Sequence, residues 1–402
     1  MRLPEYAERQ LGNALCIACL TAADGSGQTL LTPLLSEQGK APAAIGTLVA
    51  VAAVVSLVMR IPGGLLYSPR RARPLMCAAL ATAALATFVH PLTATPWLFA
   101  GIRVLYGIGY SVATTVNMAL FVDSISREGD RRRSAGLYAS AMASGYTIGG
   151  VAGGFTGQIL GFKLAYAVIA GLWLLAMLPV LLRPALVTAA AAPARAKASP
   201  FARAQAFGSL ALEPLIVSMV LAGFFINLQQ ALFVTFTPLV LLAIGLGISQ
   251  LGIMRSVFSL TNAVTRPIAG YVLGRMDHHR AQDWGIVANA CVLSLFFLPL
   301  GFGPYLAVAV VAGFGRAVAV VANTVALTQD IDPTRVSRGV ASGILNAALD
   351  LGNIVGPIVG GLIASAAGIH YLWLIAPPLY LCSYLLLQTL LRRRKRSYAA
   401  CA

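Results

Sequence analysis

The stretch GYTIGGVAGG at residues 145–154 recurs as GNIVGPIVGG at residues 352–361, which is 207 positions further along the chain. A second match keeps nearly the same offset, because RIPGG at residues 60–64 pairs with RPIAG at residues 266–270. Chance matches between glycines are easy in a chain that contains 39 of them. Ordered matches at one offset nevertheless favour an internal duplication, so the sequence predicts two copies of one structural unit.

The composition identifies the environment of the chain. Hydrophobic residues make up 58% of the sequence, charged residues only 10%, and the mean hydropathy is +0.80. Soluble domains carry about 25% charged residues, and a bilayer core takes about 20 helical residues to cross. We predict an all-α integral membrane protein with twelve transmembrane helices, at residues 11–35, 43–66, 75–93, 97–122, 134–159, 164–182, 214–243, 248–273, 285–302, 304–329, 338–367 and 370–391.

The repeat divides these helices into two groups of six. We expect an N-terminal six-helix bundle at 1–182 and a C-terminal six-helix bundle at 214–402, related by pseudo-two-fold symmetry. Residues 183–213, which are basic and rich in alanine and proline, are predicted to form a cytoplasmic linker between them. Parallel repeats of this kind are typical of secondary transporters that hold their substrate between the two halves.

The net charge of +16 follows a pattern along the chain. Basic residues collect after the even-numbered spans, whereas only Lys40 and Lys163 lie on the opposite side of the membrane. The positive-inside rule therefore predicts that both termini are cytoplasmic, in a multi-pass protein of the cell inner (cytoplasmic) membrane. The lipid bilayer accounts for the charge, and we expect no nucleic-acid partner.

Polar residues recur on single faces of several apolar spans. A charge at the bilayer centre costs about 2.5 to 3.5 kcal/mol, so residues that carry one usually face a cavity or a partner. Asp24 lies in the otherwise apolar or small stretch CLTAADGSGQTLLTPLL at 19–35, followed on its face by Gln28 and Thr32. Other stripes are Arg103, Tyr106, Tyr110, Thr114 and Asn117 in span 4, and Arg255, Ser259, Asn262 and Arg266 in span 8. The alternative for individual residues is hydrogen bonding between packed helices.

Asp24 or Asp350 is the predicted proton-coupling residue. Desolvation favours the neutral form of a carboxyl group, so a carboxylate near the middle of the membrane can exchange a proton with bulk water. Arg103 is expected to modulate either carboxylate, or to bind an anionic group of the substrate.

Several motifs resemble those of the major facilitator superfamily, and the resemblance covers nearly the whole chain. After the second span, Gly64 is followed by Arg70, Arg71 and Arg73, with Ser68 in place of the aspartate of the family signature. The fourth-helix pattern is met by Arg103, Gly107 and Gly109. The fifth-helix glycine pattern typical of exporting members is met by Gly145, Gly149, Gly153 and Gly154, with Gly150 in place of a proline that the second copy retains as Pro357.

This resemblance implies a central cavity, a gate and close helix packing. The residues expected to line the substrate cavity are Gln28, Thr32, Tyr106, Tyr110, Thr114, Asn117, Asn227, Gln230, Arg316, Asn323 and Asn346. The gate is expected at the cytoplasmic ends of the spans, with Arg60, Gly64, Asp123, Arg266 and Gly270, where Asp123 would pair with one of the two arginines. The residues expected to pack helices are Gly145, Gly149, Gly153, Gly352, Gly356 and Pro357.

The resulting prediction is a secondary active transporter that exports a small organic solute in exchange for protons. The alternatives are an uptake symporter or facilitator of a small polar metabolite, or a membrane sensor that does not transport. No nucleotide-binding, zinc or nucleophile motif occurs in the sequence, so we expect no cofactor, no metal and no enzymatic activity. We also expect a monomer, and solvated histidines at His90, His278, His279 and His370.

Overall fold

The computed structural model describes residues 5–68, 70–124, 131–182, 214–273, 277–329 and 338–401. These described residues form twelve α-helices, two short 3₁₀ turns at His90–Leu92 and Leu295–Phe297, and no β-strand. The helices are α1 Glu5–Glu37, α2 Pro42–Leu66, α3 Ala72–Val89, α4 Pro96–Asp123, α5 Arg131–Leu175, α6 Leu178–Leu182, α7 Pro214–Ala243, α8 Ile248–Leu273, α9 His278–Ser294, α10 Phe302–Gln329, α11 Arg338–Ala367 and α12 Ile369–Cys401. The all-α prediction is confirmed, and the predicted linker at 183–213 lies outside the described residues.

Nine segments of the described chain are long and apolar enough to cross a membrane. One of them, Gly136–Leu182, covers two predicted spans and bends at Gly161, whose φ of +71° lies in the left-handed region that favours glycine. The predicted spans at 248–273 and 285–302 are not among the nine. Arginines and other polar residues interrupt α8, and α9 has only 17 residues. The count of twelve spans therefore stays a prediction.

The described helices belong to two compact units. The first unit contains Met1–Pro193 and Pro238–Ala263, and the second contains Ala194–Thr237 and Val264–Ala402. Within the first unit, α1 packs most extensively against α5, while α4 packs against α2 and α3. Within the second unit, α9 packs against α10 and α12.

Glycines allow α5 to reach the backbone of α1. A Cβ atom added to Gly149 would lie 2.3 Å from the carbonyl oxygen of Ala22, and one added to Gly153 would lie 2.7 Å from Ser26 Cα. Gly145 faces Thr21 at similarly close range. The Ser26 hydroxyl donates a hydrogen bond of 2.8 Å to the carbonyl oxygen of Gly149. The absence of side chains therefore sets the separation of these two helices.

The second copy of the glycine series occupies an equivalent place in the second unit. A Cβ atom on Gly352 would lie 2.4 Å from the carbonyl oxygen of Phe224, and one on Gly356 would lie 2.8 Å from that of Leu228. Pro357, next in the chain, is buried. The glycines of α11 thus face α7 as those of α5 face α1.

His90 differs from its predicted environment. Its side chain is only 2% exposed. Its ring packs against those of Phe99, Tyr106 and Tyr166 at centroid distances of 5.1, 5.8 and 5.8 Å. The prediction of a solvated His90 is wrong, because aromatic residues of α4 and α5 enclose the 3₁₀ turn that carries it.

Candidate functional site

Asp24 is the centre of the polar cluster in the first unit. Its side chain is 1% exposed, and the amide nitrogen Nε2 of Gln28, one turn later on α1, donates to both carboxylate oxygens at 2.9 and 2.7 Å. The Tyr106 hydroxyl on α4 donates to Oδ1, and the Tyr146 hydroxyl on α5 donates to Oδ2 at 3.1 Å. These four hydrogen bonds, from three side chains, occupy both oxygens of the buried carboxylate.

The backbone geometry explains how α5 brings Tyr146 to Asp24. Gly25 follows Asp24, and a Cβ atom there would lie 3.3 Å from Cδ1 and 3.4 Å from Cα of Tyr146. The glycine next to Tyr146, Gly145, faces α1 in turn. Small residues on both helices therefore let Tyr146 of α5 reach the buried carboxylate of Asp24 on α1.

Glycines also fix the position of α4, which carries Tyr106. A Cβ atom on Gly107 would lie 2.9 Å from the Ala52 carbonyl oxygen of α2, and one on Gly109 would lie 2.7 Å from the Ala79 carbonyl oxygen of α3. These are the glycines of the fourth-helix pattern in the sequence. Their close contacts hold α4 against two helices and leave its tyrosine face for α1.

Aromatic rings surround the carboxylate. The Tyr106 ring stacks on that of Tyr110 at 6.1 Å and meets Trp173 edge-on at 6.0 Å. The hydroxyls of Tyr110 and Tyr146 lie 3.2 Å apart.

Tyr146 was not among the predicted site residues, because α5 has no polar stripe on which a helical-periodicity argument could place it. Its only signal in the sequence is its place beside Gly145 in the repeated stretch.

Arg255 is connected to Asp24 through Gln28. The guanidinium nitrogen Nη2 of Arg255 donates a hydrogen bond of 2.6 Å to Oε1 of Gln28, whose other end donates to Asp24. Residues 238–263 belong to the first unit, so this chain of contacts lies within one compact body. The sequence placed Arg255 on a polar stripe but did not include it in the site.

Arg103, which we predicted to act with the carboxylates of Asp24 or Asp350, is instead hydrogen-bonded to α2. Its Nε and Nη2 atoms each donate a hydrogen bond of 3.2 Å, to the carbonyl oxygens of Leu48 and Val49 on α2. Its guanidinium also lies 5.1 Å from the ring centre of Tyr106, which suits a cation–π contact. Arg103 therefore supports Tyr106 rather than contacting Asp24.

The remaining cavity residues of the first unit make local contacts. Thr114 donates to the Tyr110 carbonyl oxygen of its own helix at 2.9 Å. Asn117 donates to the carbonyl oxygen of Asn13 at 3.3 Å. Thr32 is buried. Gln28, Tyr106 and Tyr110 are thus the predicted cavity residues that this unit gathers around Asp24.

The second unit contains a separate polar contact between α7 and α10. Arg316 donates to the carbonyl oxygen of Ile226 at 3.0 Å and to Oδ1 of Asn227 at 2.9 Å. The Asn227 amide in turn donates to the carbonyl oxygen of Leu349 on α11 at 3.0 Å. The other predicted residues of this unit differ in exposure: Asp350 and Asn323 are buried, Gln230 is half-buried and Asn346 is exposed.

Asp123, which we predicted to pair with an arginine at the gate, accepts a hydrogen bond from a tyrosine. The Tyr67 hydroxyl, at the end of α2, donates to Oδ2 of Asp123 at 2.5 Å. Burial and this hydrogen bond to a carboxylate raise the pKa of Tyr67. Among the described residues of the first unit, Asp123 does not contact Arg60, which is exposed; Arg266, in the second unit, is half-buried. The side of α2 that reaches the end of α4 presents a tyrosine there instead of an arginine. Gly64 and Gly270 border open space.

Comparison with known proteins relates this fold to a family of transporters. The model of the Major Facilitator Superfamily matches residues 14–337. A crystal structure of a mutant of the nucleoside transporter NupG has a TM-score of 0.79 and 16% identity, covering 95% of this chain and 99% of that one. A bacterial homolog of the human lysosomal transporter Spinster has a TM-score of 0.78 and 15% identity, covering 98% of each chain. Curated proteins give no significant match.

Proposed function

We propose that this chain, which belongs to the Major Facilitator Superfamily, exports a small organic solute across the cell inner membrane in exchange for protons. Family membership makes it a multi-pass membrane transporter and points away from an enzyme. The exchange of protons, the direction and the membrane are the parts that we propose.

The observation that carries the proposal is the buried Asp24 carboxylate and its donors. These donors come from three helices, and no basic side chain of the described residues forms an ion pair with Asp24. Burying an ionised group is tolerated only while donors replace its water. If α1, α4 or α5 shifts so that a donor leaves, the carboxylate gains by taking up a proton. The protonation of Asp24 would then follow the arrangement of these helices.

Alternating access supplies the cycle in which this switch operates. We propose twelve spans in two six-helix repeats, 1–182 and 214–402, with both termini in the cytoplasm and Asp350 as the second carboxylate. A ligand or proton shifts a two-state equilibrium by its difference in affinity for the two states. Solute and proton would each favour one arrangement of Asp24, so that their binding becomes mutually exclusive.

The proposed direction rests on the glycine series of α5, which resembles that of exporting members of the family. Inverted membrane vesicles test it, because their interior corresponds to the outside of the cell. Accumulation of solute under an inside-acid gradient would support export. Accumulation in right-side-out vesicles under an outside-acid gradient would instead identify an uptake symporter, and uptake that ignores the gradient would identify a facilitator.

Proton release tests the coupling itself. We would add cationic, zwitterionic and anionic solutes to purified protein in weakly buffered detergent solution and record the pH, using wild type, Asp24→Asn and Asp350→Asn. The proposal predicts release on solute binding that Asp24→Asn abolishes. Bound solute without proton release from the wild-type protein would contradict proton exchange, and release that survives in Asp24→Asn but not in Asp350→Asn would assign the coupling to Asp350.

A further inference from the structure

Arg103, Arg316 and Arg255 lie well inside the described helices α4, α10 and α8, and Arg255 differs from the other two in its side-chain hydrogen bonds. Arg103 donates to two backbone carbonyl oxygens of α2. Arg316 donates to a carbonyl oxygen and to the side-chain oxygen of Asn227. Arg255 makes one hydrogen bond, from Nη2 to Gln28. A guanidinium has five N–H donors, so four donors of Arg255 have no acceptor among the described residues.

The surroundings of Arg255 suggest why four of its N–H donors lack an acceptor among the described residues. The side chain is half-buried in α8, and no carboxylate of the described residues forms an ion pair with it. Charged groups at membrane depth face a partner or a water-filled cavity because their burial is costly. Asp24, the acidic residue of this cluster, is separated from Arg255 by the amide of Gln28 and already accepts four hydrogen bonds.

Gln28 fixes one corner of the guanidinium and leaves its remaining edge for another acceptor. We infer that this edge of Arg255 binds a carboxylate of the transported solute. Arginine suits this task because its planar fork matches the two oxygens of a carboxylate. The inference rests on the proposed transport of a small organic solute and adds its chemical class.

The neighbouring residues extend the description of the solute. Tyr110 and Tyr146 are half-exposed and lie beside Asp24, so they offer ring surface to an apolar body attached to the carboxylate. Gln28 accepts a hydrogen bond from Arg255 through Oε1 and donates one to Asp24 through Nε2. Gln28 thereby links the anion site to the proposed proton site, and the fitting solute is an apolar, preferably aromatic, carboxylate.

Chemical labelling of the wild-type protein tests this site without a known substrate. Purified full-length protein in detergent would be treated with phenylglyoxal, which modifies arginine, and labelling of each arginine would be followed by peptide mass spectrometry. Benzoate is the probe, and benzamide is its uncharged match. At about nine times the dissociation constant of benzoate, labelling of Arg255 should slow about tenfold, whereas benzamide should leave it unchanged.

Two other arginines serve as internal controls. The exposed Arg70 should react equally with and without benzoate, while Arg103, which is 6% exposed and bonded to α2, should stay unlabelled. An Arg255 that does not react at all, or that reacts equally in benzoate and benzamide, would overturn the inference. The assay contains no proton gradient, so protection of Arg255 without proton release would retain the carboxylate site and reject only proton exchange. Proton release on solute binding, without protection of Arg255 by benzoate, would retain proton exchange and reject the carboxylate site.

Discussion

Asp24 can remain in an apolar helix because its neighbours replace the water that its carboxylate has lost. Tyr106 and Tyr146 each donate one hydroxyl, and Gln28 donates its amide to both oxygens. Hydrogen bonds to a charged group contribute about 1.5 to 3 kcal/mol each, more than those between neutral groups. At the residue scale, the stability of this protein and its proposed coupling therefore depend on the same few donors.

The first prediction concerns the Tyr106 hydroxyl. Tyr106→Phe should lower the stability of the folded protein by about 1.5 to 3 kcal/mol at neutral pH, because a buried charge loses one donor. Thermal unfolding in detergent measures the effect. Tyr110→Phe is the matched control, since the Tyr110 hydroxyl lies near that of Tyr146 and does not contact Asp24, and it should cost less.

A double-mutant cycle identifies the cause of that loss. In an Asp24→Asn background the carboxylate charge is gone, so Tyr106→Phe should cost clearly less than in the wild-type background. Equal costs in both backgrounds would mean that Tyr106 stabilises the protein only by packing against Tyr110 and Trp173, and that the hydrogen bond to Asp24 contributes nothing.

The sequence located the cluster but not its connections. Helical spacing placed Gln28 on the face of α1 that carries Asp24, and Tyr106 and Tyr110 on one face of α4, because residues one turn apart share a face. Only the resemblance to the family suggested that these two faces meet. Spacing within one helix says nothing about what a neighbouring helix contributes, so Tyr146 and the contact of Arg255 with Gln28 were missed. His90 was misjudged for the same reason, since the rings that bury it come from α4 and α5.

Backbone contact between glycines and the facing helix determines how α1 and α5 pack. A Cβ atom on Gly149 would lie 2.3 Å from a carbonyl oxygen of α1, and that backbone atom cannot rotate away as a flexible side chain could. Gly149→Ala should therefore destabilise the protein by about 1 to 3 kcal/mol, as overpacking does elsewhere. Thermal unfolding measures the shift.

Gly171 provides the matched control for that substitution. It lies on the same helix, and a Cβ atom there would meet nothing within 4 Å. Gly171→Ala should be neutral or stabilising by up to about 1 kcal/mol, because alanine has the higher helix propensity. Equal effects of the two substitutions would show that α1 and α5 have room to separate, and would remove the packing role of the glycine series.

A side chain, rather than packing, starts α9. The Asp277 carboxylate accepts hydrogen bonds from the backbone N–H groups of His279, at 2.9 Å, and Arg280. Slight burial raises the pKa of Asp277, but these hydrogen bonds lower it by more, so that the pKa lies below its usual value. Asp277→Ala should weaken the start of α9 by about 1 kcal/mol, whereas Asp277→Asn should preserve it because asparagine is an equally good cap.

The pH dependence of this cap has a definite sign. A folded pKa below the unfolded value means that the part of the contribution that depends on the carboxylate charge is complete at neutral pH and is lost as the pH falls below about 4. Hydrogen exchange of the first amides of α9, compared between wild type and Asp277→Ala, measures it. A difference between the two proteins that is equally large in acid would show that the carboxylate charge does not contribute to the helix start.

At the scale of the whole molecule, the internal repeat predicted more than hydropathy alone. The repeated glycines at 145–154 and 352–361 indicated the family, and the match to its model confirms that resemblance. Hydropathy identifies nine spans in the described residues. It falls short where polar residues interrupt α8, which keeps an apolar exposed face at Leu260, Val264 and Ile268, and where α9 is short.

The crossing of α9 is the sharpest test of the twelve-span topology. With 17 residues, α9 is about 26 Å long, somewhat less than the bilayer core of about 30 Å, and the 3₁₀ turn Leu295–Phe297 extends it.

If α9 crosses, its two ends lie on opposite sides of the membrane. In a variant without native cysteines, Gly301→Cys should react with a membrane-impermeant maleimide on intact cells, and Arg280→Cys should react only after the cells are opened. Labelling of both positions from the same side would mean that α9 does not cross, and the chain would then have an odd number of spans with termini on opposite sides.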